Sequence, residues 1–433
     1  MSQIVPYEDI ATAKKIPSST KILELLGKSD LVKERYAVSV QPYSGQGAGI
    51  GAGLNQKIQF KMFNNSDYVD LQTAYLTFQS VFSVVSGSGG SLNHLNFEDN
   101  VLSWFVLVRT LVNDQVLEEV SSFNIWANLI TYASMSKSYY ESAGSFQGLY
   151  RHSTYLAGGA KGLFYVPSAN GNNTLLASTQ NINAGVTNAW QQFSQGGVPS
   201  WNSTITAGGV LPATTGVSGN DDWVNRALKA TTTWCCPLSG VLGLFSIDKY
   251  FPLRSVSSIT LELNLPTNIA GIVYDNILPA TNTAVTNALV QLSIQQLYLH
   301  YDCVKMSDAY YELMDSELID PNGMGVQYTV NTVECIPATV PVGNGKKVLI
   351  ASKGTRFLKA FYAVQVPSFA YQSGLCPPSS IFVQAGFQQA QLIVNSKRFP
   401  QYVIDSVPRA FSELMKSMGK YANIVGDSVI TYN

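Results

Sequence analysis

A period-2 strand, a short polar turn carrying Val-Asn and a short amphipathic helix occur twice in this chain, and that repeat limits the fold more than any other feature. The first copy runs from Val106 through Arg109, Val112 and Asn113 into Phe123–Ile130. The second runs from Gln389 through Ile393, Val394 and Asn395 into Arg409–Met415. A strand needs alternation and a helix a 3.6-residue stripe, so the same switch of period made twice implies one supersecondary unit used twice. The distance from Asn113 to Asn395 far exceeds the roughly 20 to 50 residues of a solenoid repeat, which makes this a duplicated domain. Two related β-barrels are expected.

Size agrees with two domains. At 433 residues the chain exceeds the length at which a single core usually stops growing. Hydrophobic residues make up 46% and charged residues only 13%, against roughly 25% charged in ordinary soluble domains. Depletion of charge marks interface cores, so extensive subunit contacts are one explanation; Asn, Gln, Ser and Thr supplying surface polarity is another, and the two are compatible. Lys and Arg total 27 against 28 Asp and Glu. The basic runs are no longer than Lys14-Lys15 or Lys346-Lys347, which argues against direct nucleic-acid binding, since phosphate neutralisation supplies most of such affinity. No stretch of about twenty apolar residues is available for a membrane span. The N-terminal Met-Ser-Gln-Ile-Val-Pro-Tyr lacks the basic and apolar regions of a signal peptide, so assembly inside a cell is expected.

Chemistry-bearing patterns are sparse. Five cysteines (Cys235, Cys236, Cys303, Cys335 and Cys376) and three histidines (His94, His152 and His300) do not offer the four convergent ligands of a zinc site. They are expected to be free thiols and isolated imidazoles, with no metal and no cofactor. The glycines at 45, 47, 49, 51 and 53 miss the G-x-G-x-x-G spacing and precede no helix, so a flexible loop is expected there. Adjacent carboxylates at Glu98-Asp99, Glu118-Glu119 and Asp221-Asp222 point to opposite faces of a strand and read as solvated turn charge. No G-x-S-x-G, H-E-x-x-H or P-loop pattern is present. A non-enzymatic protein with no catalytic residue is the expectation.

Strands are expected at 36–40, at 57–62 with Ile58, Phe60 and Met62 on one face, and at 258–265, where Ile259, Leu261, Leu263 and Leu265 alternate with polar residues. A long strand from Val290 to Val304 changes phase at Gln295-Gln296, which predicts a β-bulge. A helix capped by Ser307 or Asp308 follows, then a boundary turn at Asp320–Gly323. Strand patterns restart at 326–330 and 358–366. The Gly-, Asn-, Ser- and Thr-rich stretch at about 144–222 reads as a folded outer insertion. Residues 1–34 read as an N-terminal arm that either covers a barrel end or reaches a neighbouring subunit or internal partner.

In order and spacing, four segments resemble the double jelly-roll major capsid proteins of adenovirus-like, virophage, polinton-like and large DNA viruses. They are Arg109–Tyr132, Asp248–Val256 before an alternating strand, Gln291–Met314, and the repeat at Gln389–Met418. The resemblance implies a mainly β fold of two tandem jelly-roll barrels with short helices and long loops: an arm at 1–34, a first jelly roll at 35–306, and a linker helix with part of a second at 307–433. Only about half of the second barrel fits before Asn433, so further strands are expected from a longer chain or another segment. It further implies a homotrimeric, pseudo-hexameric capsomer in an icosahedral virion, assembled inside the host cell. Its partners would be neighbouring capsomers and, through residues 1–34, minor capsid or penton proteins. Trp104, Phe105, Trp126, Ile259, Leu261 and Leu263 then become core or interface residues. The rival reading from the residues is a jelly-roll carbohydrate-binding module or glycan-cleaving spike, with Trp and Tyr of the insertion as a stacking platform.

Overall fold

The computed structural model describes residues 31–44, 47–63, 67–84, 95–97, 100–136, 139, 144, 147, 232–275, 287, 290–319, 328–338, 359–364, 389–394 and 396–417. Along the chain these form β1 (Val32–Val40), β2 (Gly49–Ile50), β3 (Lys57–Phe63), β4 (Tyr68–Val84), β5 (Leu95–Phe97), β6 (Leu107–Val112) and β7 (Gln115–Ser121). Helix α1 (Phe123–Ser134) follows, then β8 (Thr232–Pro237), β9 (Phe251–Pro252), β10 (Ser258–Asn264), β11 (Val273–Asp275) and β12 (Val290–Met306). Helix α2 (Asp308–Ile319), β13 (Ala390–Val394), β14 (Lys397–Ile404) and helix α3 (Val407–Ser417) complete the described elements.

The pairing is nested. β1 pairs with β12, β3 with β10, β4 with β8, and β6 with β7, all antiparallel. Two further pairings, β12 with β4 and β10 with β6, bring alternate rungs side by side. The result is one sheet in the order β1-β12-β4-β8, to which β2 and β9 add short pairings, and a second in the order β3-β10-β6-β7. An eight-stranded hairpin rolled so that its rungs fall alternately into two sheets is a jelly roll. The chain from Val32 to Met306 therefore builds one such domain, mostly β and with few helices.

Alternation fixes which face is inside. In β10, Ile259, Leu261 and Leu263 are buried in the core, and Ile58, Phe60 and Met62 of β3 join them from the neighbouring strand. A slip of one residue would turn this whole set outward, so the buried face pins the register. The fourth member of the pattern, Leu265, lies just past the end of β10, its amide donating to the Gln56 carbonyl at 2.9 Å. In β12 the phase change falls where the sequence placed it: the register against β4 shifts between Gln295 and Tyr298, and Gln296 adopts a positive φ of 47°. One extra residue there keeps Ile294 and Leu297 both facing inward.

The repeated unit is more regular than its sequence suggests. In the first copy β6 turns at Asn113 and Asp114, with φ of 53° and 61°, directly into β7, Val112 facing Gln115. Two successive positive φ angles match the right-handed twist of a two-residue hairpin. In the second copy Val394 faces Lys397 across an equally short turn, with Ser396 at φ 67°. Each hairpin then leads into a helix, α1 or α3. The expected strand, turn and helix is thus strand, turn, strand and helix both times. The second strand escaped notice because β7, Gln115–Ser121, exposes most of its side chains and shows no clean apolar alternation.

Several expectations need correction. Gly49 belongs to β2 and not to a free loop: a Cβ there would lie 2.1 Å from the Leu292 carbonyl oxygen, so only glycine lets that backbone pair with β12. β1 begins at Val32, four residues before the expected Tyr36. Residues 328–330 and 359–364 carry no ladder pairing, so the strand patterns read there do not make strands among the described residues. Helix α2 starts at Asp308 with the Ser307 carbonyl accepting from the amides of Tyr310 and Tyr311. The arm up to residue 30, nearly all of the 144–222 insertion, the turn at 320–323 and Cys376 lie outside the described residues.

Truncating Leu261, fully buried in the central strand of its sheet, removes methylene groups that nothing can replace. Leu261→Ala should lower unfolding free energy by about 2 to 5 kcal/mol, read from urea denaturation. A loss below about 1 kcal/mol would contradict a close-packed core at that point.

Candidate functional site

Among the described residues, no group of three or more His, Cys, Asp or Glu side chains is placed to hold a metal ion. No helix is long and apolar enough to cross a membrane. Of the residues singled out from the sequence, Trp104, Phe105, Ile259, Leu261 and Leu263 lie in the first jelly roll's core. Trp104 meets Trp234 edge-on at 5.8 Å between ring centroids, and Phe78 packs against both Trp104 and Phe105. Trp126 is different. It is half-buried on α1, its Nε1 donates to the Val241 carbonyl at 2.8 Å, and its ring lies 6.1 Å from that of Tyr362. It is therefore a contact between the first jelly roll and the chain that follows it.

The polar sites with most structure are those that join β-strands to one another and to this following chain. Near the end of β12, Arg35 of β1 reaches both Asp302 and Asp70, with its Nη2 at 2.8 Å and 3.1 Å from their carboxylates. Tyr36 donates to Asp67, which also accepts from Tyr311 of α2. Arg254 pairs with Asp315 of α2 at 2.8 Å and lies over the Tyr311 ring. Beneath these contacts Tyr68, Tyr250, Met306, Tyr310 and Met314 form a small apolar cluster of their own. Burial pushes the phenol of Tyr311 up to about 12, so it remains a donor at any physiological pH. This cluster fixes α2 on the end of the barrel.

The second polar site is Glu118. The sequence reading put the Glu118-Glu119 pair in solvated turn charge, and for Glu118 that is wrong. It is 2% exposed on the inward side of β7. Its carboxylate accepts from the Gly243 amide at 3.0 Å and from the Val333 amide at 3.0 Å. Burial pushes this carboxyl above its ordinary value, against the pull of the Val333, Gly243 and Leu244 amides. Glu119, one residue on and so on the opposite face, is exposed and pairs with Arg109 at 2.8 Å. Alternation forecast the opposite directions, but not that backbone from two distant segments would converge on the inner carboxylate.

Across the outer face of the four-stranded sheet runs a charge ladder. Lys57 of β3, Glu262 of β10, Arg109 of β6 and Glu119 of β7 alternate in sign, with Lys57 to Glu262 at 2.9 Å and Arg109 to Glu262 at 3.4 Å. Burial opposes the charged form of Glu262, which is only 5% exposed, but the bonds from Lys57 and Gln59 and the charge of Arg109 outweigh it and hold its carboxyl below the usual range. The four cysteines among the described residues, Cys235, Cys236, Cys303 and Cys335, form no disulfide. Burial pushes the Cys335 thiol up to about 11 and Cys236 higher still, so neither is a thiolate nucleophile at neutral pH.

No family model and no curated protein matches the chain. Solved structures similar to it include a chain of the Sputnik virophage, at 13% identity, covering 65% of this chain and 50% of that one, with a TM-score of 0.33. The Faustovirus major capsid protein is similar at 9% identity, 67% and 57% coverage and a TM-score of 0.34. The mavirus major capsid protein is similar at 10% identity, 70% and 52% coverage and a TM-score of 0.29. The chain thus spans little more than half the length of these structures.

A carboxyl held low in the folded state adds stability that is complete above the free value of about 4.3 and is lost as the pH falls through the lowered one. Glu262→Gln should therefore lose less stability than the parent chain between about pH 5 and pH 3, measured as urea midpoints. Parallel profiles for the two proteins would contradict the charge ladder.

Proposed function

We propose that this protein is a major capsid protein that self-assembles into homotrimeric, pseudo-hexameric capsomers tiling an icosahedral virus shell. The observation that carries this reading is the combination of a complete jelly-roll pairing scheme between Val32 and Met306 with a second copy of its hairpin and helix at Ala390–Ser417. A duplicated barrel lets three chains present six similar walls, and identical units can then tile a surface with near-hexagonal neighbours.

Two further observations support it. The repeated hairpins both present apolar side chains to the outside: Val116 and Leu117 in the first copy, and Ile393, Phe399 and Tyr402 in the second. Leu117 and Phe399 stand at equivalent positions of the two hairpins, which suits a contact that recurs around a ring. The barrel is also tied to the following chain by partly buried bonds, at Tyr311 with Asp67 and at Glu118 with Val333. These bonds hold the chain that leads to the second repeat against the first jelly roll. The place of action would be the virion capsid, the partners would be further copies of the chain, and residues 1–34 would contact minor capsid or penton proteins. The work is construction, with no catalytic step.

Obligate interfaces commonly bury more than about 2,000 Å² of largely apolar surface. The purified full chain should accordingly run as a stable trimer in multi-angle light scattering at micromolar concentration. A persistent monomer would reject the capsomer reading.

A further inference from the structure

After α2 the chain returns to the first jelly roll and lies along β7, the edge strand of its four-stranded sheet. It touches at four places. The Tyr328 hydroxyl donates to the Tyr250 carbonyl at 2.8 Å, with its ring 5.1 Å from Phe251. The Asn331 carbonyl sits on Gly243, so close that a Cβ on that glycine would be 1.8 Å from the oxygen. The Val333 amide donates to Glu118, and the Cys335 carbonyl accepts from the Ser121 hydroxyl at 3.4 Å. Tyr328, Val330, Val333 and Cys335 pack their side chains against the core. An uncovered edge strand invites pairing with other chains, and covering it with a peptide segment is one way to prevent that.

This segment differs from a ninth strand in how it is held. Residues 328–335 belong to no sheet ladder, so side-chain pins and one close backbone contact take the place of a row of amide-to-carbonyl bonds. Glu118 is the central pin because its carboxylate binds the strap at Val333 and the barrel at Gly243 together. We propose that residues 328–335 form a releasable strap, pinned by Glu118, that opens as a unit while the first jelly roll stays folded. Release exposes the β7 edge and frees the chain leading to the second repeat, which gives a tandem barrel a means of adjusting one repeat against the other. The proposal stands on the contacts of a single chain and is independent of the shell-building reading.

Hydrogen–deuterium exchange of the full chain, resolved by mass spectrometry, tests it. Glu118→Ala withdraws the pin. Gly243→Ala keeps the Glu118 side chain, whose Oε1 would lie 3.3 Å from the added Cβ, suits the backbone at that position (φ −65°) and pushes out the Asn331 carbonyl. In both variants the Val333 amide, which donates to Glu118, should exchange roughly tenfold or more faster while β10 stays as protected as in the parent. Glu119→Gln, on the outer face, should leave the strap unchanged. Strap-only loss in Gly243→Ala upholds the device even where Glu118→Ala loosens the barrel. Unchanged strap protection in either variant overturns it, as does loss that spreads to β10 in both.

Discussion

The pairing of β1 with β12 is the constraint on which the rest of the structure depends. It brings Tyr36 opposite Cys303 and Val40 opposite Leu299, joining the two ends of the barrel's sequence. Inside that outer pair the same nesting sets β3 against β10, β4 against β8 and β6 against β7. The ion pairs of Arg35 with Asp302 and Asp70 lie on this first junction, but they are partly exposed. The buried residues of β4 and β12, with Tyr36, Val38 and Val40 of β1 partly buried against them, supply most of its stability.

Sequence periodicity revealed the parts of this scheme in which one face is dry and the other wet. The strand at β10, the bulge at Gln295-Gln296 and the helix after Ser307 were legible for that reason. Two kinds of feature were not. β7 is an edge strand whose residues mostly face water, so its pattern is polar and it merged with the turn before it. The strap at 328–335 alternates like a strand but lacks a ladder, because its inward residues meet the core at an edge and not in a sheet. Alternation reports burial, not hydrogen-bond partners.

The candidate site was legible to a smaller degree. Trp104, Phe105, Ile259, Leu261 and Leu263 belong to the core, where large apolar residues in alternating strands are expected. Trp126 combines core packing with a contact to Tyr362 beyond the barrel. Glu118 carried no favourable signal, since an acidic pair beside a turn resembles ordinary surface charge. Its one distinguishing feature, two neighbouring carboxylates on a strand and hence one of them inward, needed three-dimensional partners from Gly243 and Val333 to become meaningful. Pins of this type connect segments far apart in sequence and leave no local pattern.

A jelly roll followed by a second copy of its hairpin and helix, with a connecting chain fastened by partly buried bonds, has the properties of a building block. Duplication is what would allow threefold symmetry to approximate sixfold packing. Negative-stain electron microscopy of the purified oligomer tests that idea most directly. The account predicts particles of hexagonal outline whose averaged density has threefold symmetry; round or elongated particles without a threefold axis would contradict it.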